Sequence, residues 1–476
     1  MSQPLRIVYL TAGAAGMYCG SCMHDNALAK AMRQAGDDVL LQPLYTPIRT
    51  DETDIAERAL FFGGIHVFLL QKAPWLARLP RWTRSWLDRP GFVRWASRRA
   101  VRTDPALLGE LTLSMLRGEH GRQAEEVHRL VGWLADTARP DAILLTNLLI
   151  GGAIPTIRQR LPNTRIIVTL QGDDLFLDHL PSEMRANAVD LCGKLARHVD
   201  CFITHSRFYR DKMAATLGID TSRFEVHPLS IDLAAFAPEP VIPEPDSPEP
   251  DSAADPPPAS SGQPATGRHH GRPLVRRTSD EIRIGFLARI APEKGLHLLA
   301  EAFQRIARRP GHETISLHAA GWLGPQHRSY LAEIQAKLTR AGLADRFVYH
   351  GSPDLAGKVR LLRSWDVFSV PAPYEDPKGL FLLESLAAGI PVVQPDHGAF
   401  SELIADLGGG ILVPPGDVDA LAEALSELAT DGQSRAQLML NVPGPLYQRH
   451  SIEQAAARLR QTCLGQPTQS GPLVSQ

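Results

Sequence analysis

Four residues in the second half of the chain, Arg289, Lys294, Asp376 and Glu384, combine charge and spacing suited to a phosphorylated ligand. In YEDPKGLFLLESLAAGIPVV, Tyr374–Val393, Pro377 and Gly379 form a turn, and Gly379 opens a helix running to about Ala388. Backbone N–H groups at such a start, with the helix dipole behind them, attract anions, which points to Gly379 and Leu380 as phosphate contacts. Glu384 lies just over one turn inside, where its carboxylate can accept hydrogen bonds from vicinal hydroxyls such as those of ribose. Asp376, with Glu375 beside it as a further candidate donor contact, sits outside the helix at the anion-binding end. The plainer account makes Asp376 a helix cap and Glu384 a solvated helix residue.

The second element is GFLARIAPEKGLHLL, Gly285–Leu299. A strand ends at about Leu287, and Arg289 and Lys294 stand in the loop before the next helix. Two cations at the C-terminal end of a strand are placed to hold a diphosphate and to neutralise a departing nucleotide without a metal or other cofactor.

These loops need a scaffold, and the chain supplies one. A length of 476 residues exceeds what one core usually serves, so two domains are expected. Short apolar runs alternate with helical stretches in both halves. In the first, strands are expected at Arg6–Leu10, Val39–Gln42, Ile65–Leu70, Ala142–Thr146, Arg165–Leu170, Cys201–Thr204 and Phe224–His227. In the second they are expected at Ile282–Leu287, Thr314–Ala319, Phe347–Tyr349, Val367–Val370, Pro391–Gln394 and Gly410–Val413. This alternation implies two parallel α/β sheets with ligands at the strands' C-terminal ends. Residues 237–280, dense in Pro, Ser, Asp and Glu, cannot bury enough surface to offset chain entropy and read as a disordered linker. The expected organisation is therefore a domain over 1–236, a linker over 237–280, a second domain over 281–464 and a flexible tail over 465–476.

Taken together, the motifs resemble glycosyltransferase family 4. Arg289, Lys294 and Gly295 match its first loop, and Asp376, Gly379 and Glu384 match its Glu-x7-Glu motif. Gly389–Val393 matches its Gly-Xaa-Pro-Val-Val strand, and Gly398 and Glu402 match the turn that follows. The resemblance implies a GT-B fold, in which two Rossmann-like domains face each other across a cleft. It further implies a UDP- or GDP-type sugar donor, metal-independent transfer and retention at the anomeric carbon. Arg289 and Lys294 would then hold the diphosphate, Asp376 would face the donor sugar, and Glu384 would hold the ribose. The first acid of the family motif is usually Glu; Asp376 is about one methylene shorter.

The first half resembles the family more loosely. Gly13, Gly16, Gly20 and Ser21 supply a glycine-rich loop before a helix near Ser21–Gln34, on the side of the phosphates or acceptor. In TLQGDDLF, Thr169–Phe176, Gln171 stands where the family commonly places His. Gln can hydrogen-bond a sugar hydroxyl but cannot titrate, so it is no general base. A retaining mechanism in which the departing phosphate takes the acceptor proton needs none. Asp173 and Asp174 are candidate acceptor contacts. His205-Ser206 and Pro228–Asp232 sit where the family has a strand-end Ser and the crossing into the second domain.

Cys19-Gly-Ser-Cys22 has redox-motif spacing, but nothing else supports a redox or metal site, and a structural turn is the better reading. Residues 75–102 carry Trp75, Trp82, Trp86 and Trp95 among eight arginines and suit contact with an anionic membrane, or else an ordinary core-facing helix. A net charge of −2 gives no global case for nucleic-acid binding. No signal peptide or run of 18 apolar residues is evident, and five cysteines form no disulfide framework, so a cytoplasmic protein is expected, with peripheral contact at the membrane's inner face. The expected activity is hexosyl transfer from a nucleotide sugar to a hydroxyl of a glycan, lipid or small molecule. Competing readings are an inverting transferase or epimerase, and a catalytically silent nucleotide-sugar-binding scaffold.

Overall fold

The computed structural model describes residues 3–13, 20–46, 48, 53–57, 105–237 and 281–466. The expected strand at 65–70, Gly16, Cys19, the Trp/Arg segment 75–102, the linker from 238 to 280 and the tail from 467 lie outside the described residues.

Two six-stranded parallel sheets form the scaffold. The first contains β1 (Arg6–Thr11), β2 (Asp38–Pro43), β3 (Ala142–Leu145), β4 (Arg165–Thr169), β5 (Cys201–Thr204) and β6 (Phe224–Val226), in the order β2-β1-β3-β4-β5-β6. The second contains β7 (Ile282–Leu287), β8 (Ile315–Ala320), β9 (Phe347–Tyr349), β10 (Val367–Phe368), β11 (Val392–Pro395) and β12 (Gly410–Val413), in the order β12-β11-β10-β7-β8-β9. The central strands are buried on both faces because helices cover both, as parallel crossover connections require. In both sheets the strand order reverses beside the first strand, and the loops that diverge there open a crevice at the C-terminal ends.

Gly285 lies inside β7, and a Cβ there would come within 2.0 Å of the Trp365 ring. The missing side chain lets Trp365 pack fully buried against the sheet and stack on Phe368 of β10. The strand that ends in the Arg289–Lys294 loop is thereby fixed against the strand that leads to Tyr374–Gly379.

The chain crosses between the domains twice, side by side. Ile231 N–H donates to His450 O at 3.0 Å, and Ile452 N–H donates to Ile231 O at 3.0 Å. Leu229, Ile231, Leu233 and Phe236 already belong to the core of the second domain. In return, the helix Ile452–Cys463 packs on the first domain, its Ile452, Ala455, Ala456, Leu459 and Cys463 sharing a core with Ile7, Leu28 and Met32. The last helix of the 281–464 segment thus contributes its apolar face to the first domain's core. The apolar stripe of the last helix is legible in sequence, but the surface it covers is chosen by the return crossing.

His450 lies under this crossing, with Nδ1 2.6 Å from Leu229 O. Burial pulls its imidazole down to about 4, and burial with Lys378 nearby pulls His24 down to about 3. Both values lie below the ordinary 6.5, so the unfolded chain binds more protons between them. Their contribution is intact above about pH 6.5 and is lost as pH falls toward 4 and 3. Each should remove about 2 kcal/mol of stability between pH 7 and pH 5. Thermal unfolding should show a lower Tm at pH 5, and His450→Gln should reduce the stability difference by about that amount; equal pH dependence would contradict it.

Candidate active site

Lys294 ends a short turn, Pro292–Lys294, after β7, and Gly295 follows it with φ 76°. A Cβ on Gly295 would lie 2.0 Å from Pro371 O, so the loop lies directly against the strand-end segment 371–372. That approach brings Lys294 Nζ to 2.8 Å from Asp376 Oδ2 and 2.5 Å from Tyr374 Oη. Tyr374 Oη in turn donates to Asp376 Oδ2 at 2.7 Å. The other carboxylate oxygen, Oδ1, accepts from the backbone N–H groups of Lys378 at 3.0 Å and Gly379 at 2.9 Å. Gly379, at φ 74°, then opens the helix Leu380–Ala387.

Asp376 therefore does two things: it caps the turn before the helix and it pairs with a cation. Burial pushes its carboxyl up, but the Lys294 ammonium, the Tyr374 hydroxyl and the Gly379 N–H outweigh that and hold it far below the usual carboxylate range. Such a group stays ionised and is no general acid or base near neutral pH. Breaking a buried pair of this kind costs about 3–5 kcal/mol. Burial and the Asp376 charge raise Tyr374 well above its ordinary value, so it remains a phenol.

Arg289 stands at the same strand end, more exposed, with an ion pair to Glu293 at 3.2 Å. Glu384 is buried on the second turn of the helix and accepts from Lys358 Nζ at 2.6 Å. It is thus a buried, ion-paired carboxylate and not a solvated helix residue.

The first domain faces this cluster with the start of the helix Gly20–Gln34 and the loop after β4. Lys378 bridges the two, its Nζ 2.6 Å from Ser21 Oγ and 3.2 Å from Gln171 Oε1. Gln171 is buried, and its Nε2 lies 3.2 Å from Thr146 O and 3.4 Å from Asp25 Oδ1. A Cβ on Gly20 would sit 3.4 Å from Leu380 Cδ2, so the two helix starts meet across the cleft. Burial and neighbouring charge, Lys378 among it, hold His24 and His205 neutral behind this contact. Asp173 is buried and accepts from Leu148 N–H at 2.9 Å and Gln171 N–H at 3.1 Å. Burial nonetheless pushes its carboxyl up to about 6. These hydrogen bonds come from backbone groups of its own domain, which suits a residue that shapes the loop carrying Gln171.

Glu375 does not face the anion-binding turn. Its Oε2 lies 3.1 Å from Lys212 Nζ, which also pairs with Asp174 at 2.9 Å. Glu402 likewise reaches across, accepting from the backbone N–H groups of Arg207 at 2.9 Å and Phe208 at 2.5 Å, at the start of the helix Arg207–Leu217. Ser206 Oγ adds a bond to Pro377 O at 3.2 Å. Sequence reasoning missed Tyr374, Lys378 and Lys358. The first two stand inside the quoted motif, yet their reach depends on the turn's geometry. Cys22 is buried 3.9 Å from Thr11 Oγ1.

Residues 273–442, the part of the chain that carries this cluster, match the family described as "Glycosyl transferases group 1". The lipopolysaccharide core biosynthesis mannosyltransferase LpsB of Rhizobium meliloti (strain 1021) is 30% identical over 181 residues, 36% of this chain and 48% of that protein. A phosphatidyl-myo-inositol mannosyltransferase of Mycobacterium leprae (strain TN) is 41% identical over 96 residues, 20% of this chain and 26% of that protein. The chain thus spans about half or less of these curated relatives. Among solved structures, the Thermosynechococcus elongatus sucrose-phosphate synthase superposes with a TM-score of 0.63 at 17% identity, over 97% of this chain and 98% of that one. Anabaena Alr3699/HepE in complex with UDP gives 0.62 at 16% identity, over 97% and 100%. The fold is GT-B. In this GT-B chain the Lys294–Asp376 cluster and the Gln171 loop lie on opposite walls of the interdomain cleft.

The Glu402 contact makes the closed cleft testable. Glu402→Ala removes a carboxylate from the start of a helix, a loss of about 1 kcal/mol for a cap. Small-angle scattering should show a larger radius of gyration for the variant, with its Tm little changed. An unchanged radius would show that Glu402 does not hold the domains together.

Proposed function

We propose that the protein is a retaining glycosyltransferase that moves a hexose from a UDP- or GDP-type sugar to a hydroxyl acceptor. The observation that carries this reading is the joint placement of Lys294, Asp376 and Glu384 along one helix start at the mouth of the second sheet. Lys294 and Arg289 supply the positive charge a leaving diphosphate needs, and the N–H groups of the helix start add to it. Glu384, one and a half turns further on, is placed for the ribose hydroxyls. Support for a nucleotide-sugar donor also comes from Alr3699/HepE, whose structures of the same fold contain UDP and UDP-glucose.

Asp376 stays ionised and organises the site in this mechanism, keeping Lys294 pointed at the turn while its other oxygen fixes the Lys378 and Gly379 N–H groups. Gln171, which cannot titrate, orients a sugar hydroxyl. The proton of the acceptor hydroxyl passes to the departing phosphate oxygen on the same face, which accounts for retention without a protein base. Charge neutralisation by Arg289 and Lys294 makes the transfer metal-independent. The acceptor is a glycan, lipid or small-molecule hydroxyl presented by the first domain. We place the reaction in the cytoplasm, with residues 75–102 as the contact to an anionic membrane; among the described residues no helix is long and apolar enough to cross one.

Thermal-shift screening against UDP, GDP and their sugars should reveal stabilisation by one of the two series. Asp376→Asn keeps a capping oxygen but removes the negative charge that holds Lys294, so turnover should fall at least about tenfold, as expected for a loss above about 1.4 kcal/mol. No stabilisation by any compound, or wild-type turnover in Asp376→Asn, would overturn the reading.

A further inference from the structure

We infer that Lys358 is a positioning residue for the nucleotide end of the site, holding Glu384 in the orientation that grips the ribose. The inference rests on the reading of Glu384 given above. Lys358 is the fourth residue of the helix Leu355–Arg363, whose start is capped by Asp354 Oδ1 accepting from Gly357 N–H at 2.8 Å. A cation in the first turn opposes the helix dipole, so its burial at this position needs a compensating group. Glu384 supplies it at 2.6 Å, with the side chains only 8% and 10% exposed.

The two helices come from different parts of the sheet. That of Lys358 follows the edge strand β9, and that of Glu384 follows β10, with β7 and β8 between the two strands. Both helices begin at the C-terminal edge of the sheet, so the pair joins two of the units that border the nucleotide crevice. A carboxylate offers about four acceptor positions, and the bond to Lys358 engages one of them at Oε1. Lys358 thus holds the carboxylate at Oε1 and restricts its rotation, which fixes the direction in which it meets the hydroxyls of a ribose. At the other end of the helix, Lys294 plays the corresponding part for Asp376.

The test uses the full-length protein and calorimetric titration of three probes. These are the nucleoside diphosphate that stabilises it more, UDP or GDP, its 2′-deoxy analogue and inorganic pyrophosphate. Lys358→Met should weaken the nucleoside diphosphate at least about tenfold, leave pyrophosphate unchanged and abolish the preference for the ribo over the 2′-deoxy form. Lys358→Arg should restore most of that preference. Retention of both affinity and preference by Lys358→Met would overturn the proposal. So would a parallel loss of pyrophosphate binding with a lowered Tm, which would mark Lys358 as general support for the domain. Glu384→Gln separates the layers: wild-type affinity there would remove the ribose role of Glu384 itself and the role of Lys358 with it. Loss in Glu384→Gln alone would leave the donor site standing and refute only Lys358.

Discussion

The buried carboxylate of Asp376 is the group on which the rest of the site depends. One of its oxygens fixes the two N–H groups that precede the helix Leu380–Ala387, and the other holds the ammonium of Lys294 and the phenol of Tyr374. Each partner comes from a different stretch of chain, so satisfying one carboxylate aligns a loop after β7 with a turn after β10. Leaving any of these groups unpartnered in a buried environment would be costly, which is what selects this arrangement over alternatives. The anion-binding character of the turn follows from that alignment.

A second constraint acts between the domains. The side-by-side crossings at Ile231 and Ser451 and the packing of the last helix on the first domain fix one side of the molecule. Across the cleft, Lys378, Ser206, Lys212 and Glu402 meet partners on the other domain. Donor chemistry on one wall is thereby held against sugar-side groups on the other. Water exclusion in such a closed cleft strengthens every charge interaction inside it.

Much of this was legible in the residues. Parallel sheets follow from alternating apolar strands and helices, and the cation loop and acidic motif follow from glycine and charge spacing. Local chemistry decides those features, so local sequence reveals them. What escaped was set by distance in space. The Lys294–Asp376 pair spans 82 residues, and Lys358 meets Glu384 from a helix that sequence reading had no reason to place beside it. The spacing of its neighbours suggests a donor contact for Glu375, yet its carboxylate reaches across the cleft to Lys212, whereas Asp376 faces Lys294. The final helix follows the second sheet in chain order, and its apolar face packs on the first domain because the return crossing carries it there. Asp376 was weighed as either a cap or a charged site residue; its two oxygens let it be both.

The most direct test of the central claim is the dissociation constant of the preferred nucleoside diphosphate, measured by calorimetry for the wild type and for Lys294→Ala. If Lys294, steered by Asp376, holds the diphosphate, the variant should bind at least about thirtyfold more weakly, the scale of a lost charge-assisted contact of roughly 2 kcal/mol or more. Equal binding by the two proteins would contradict the account.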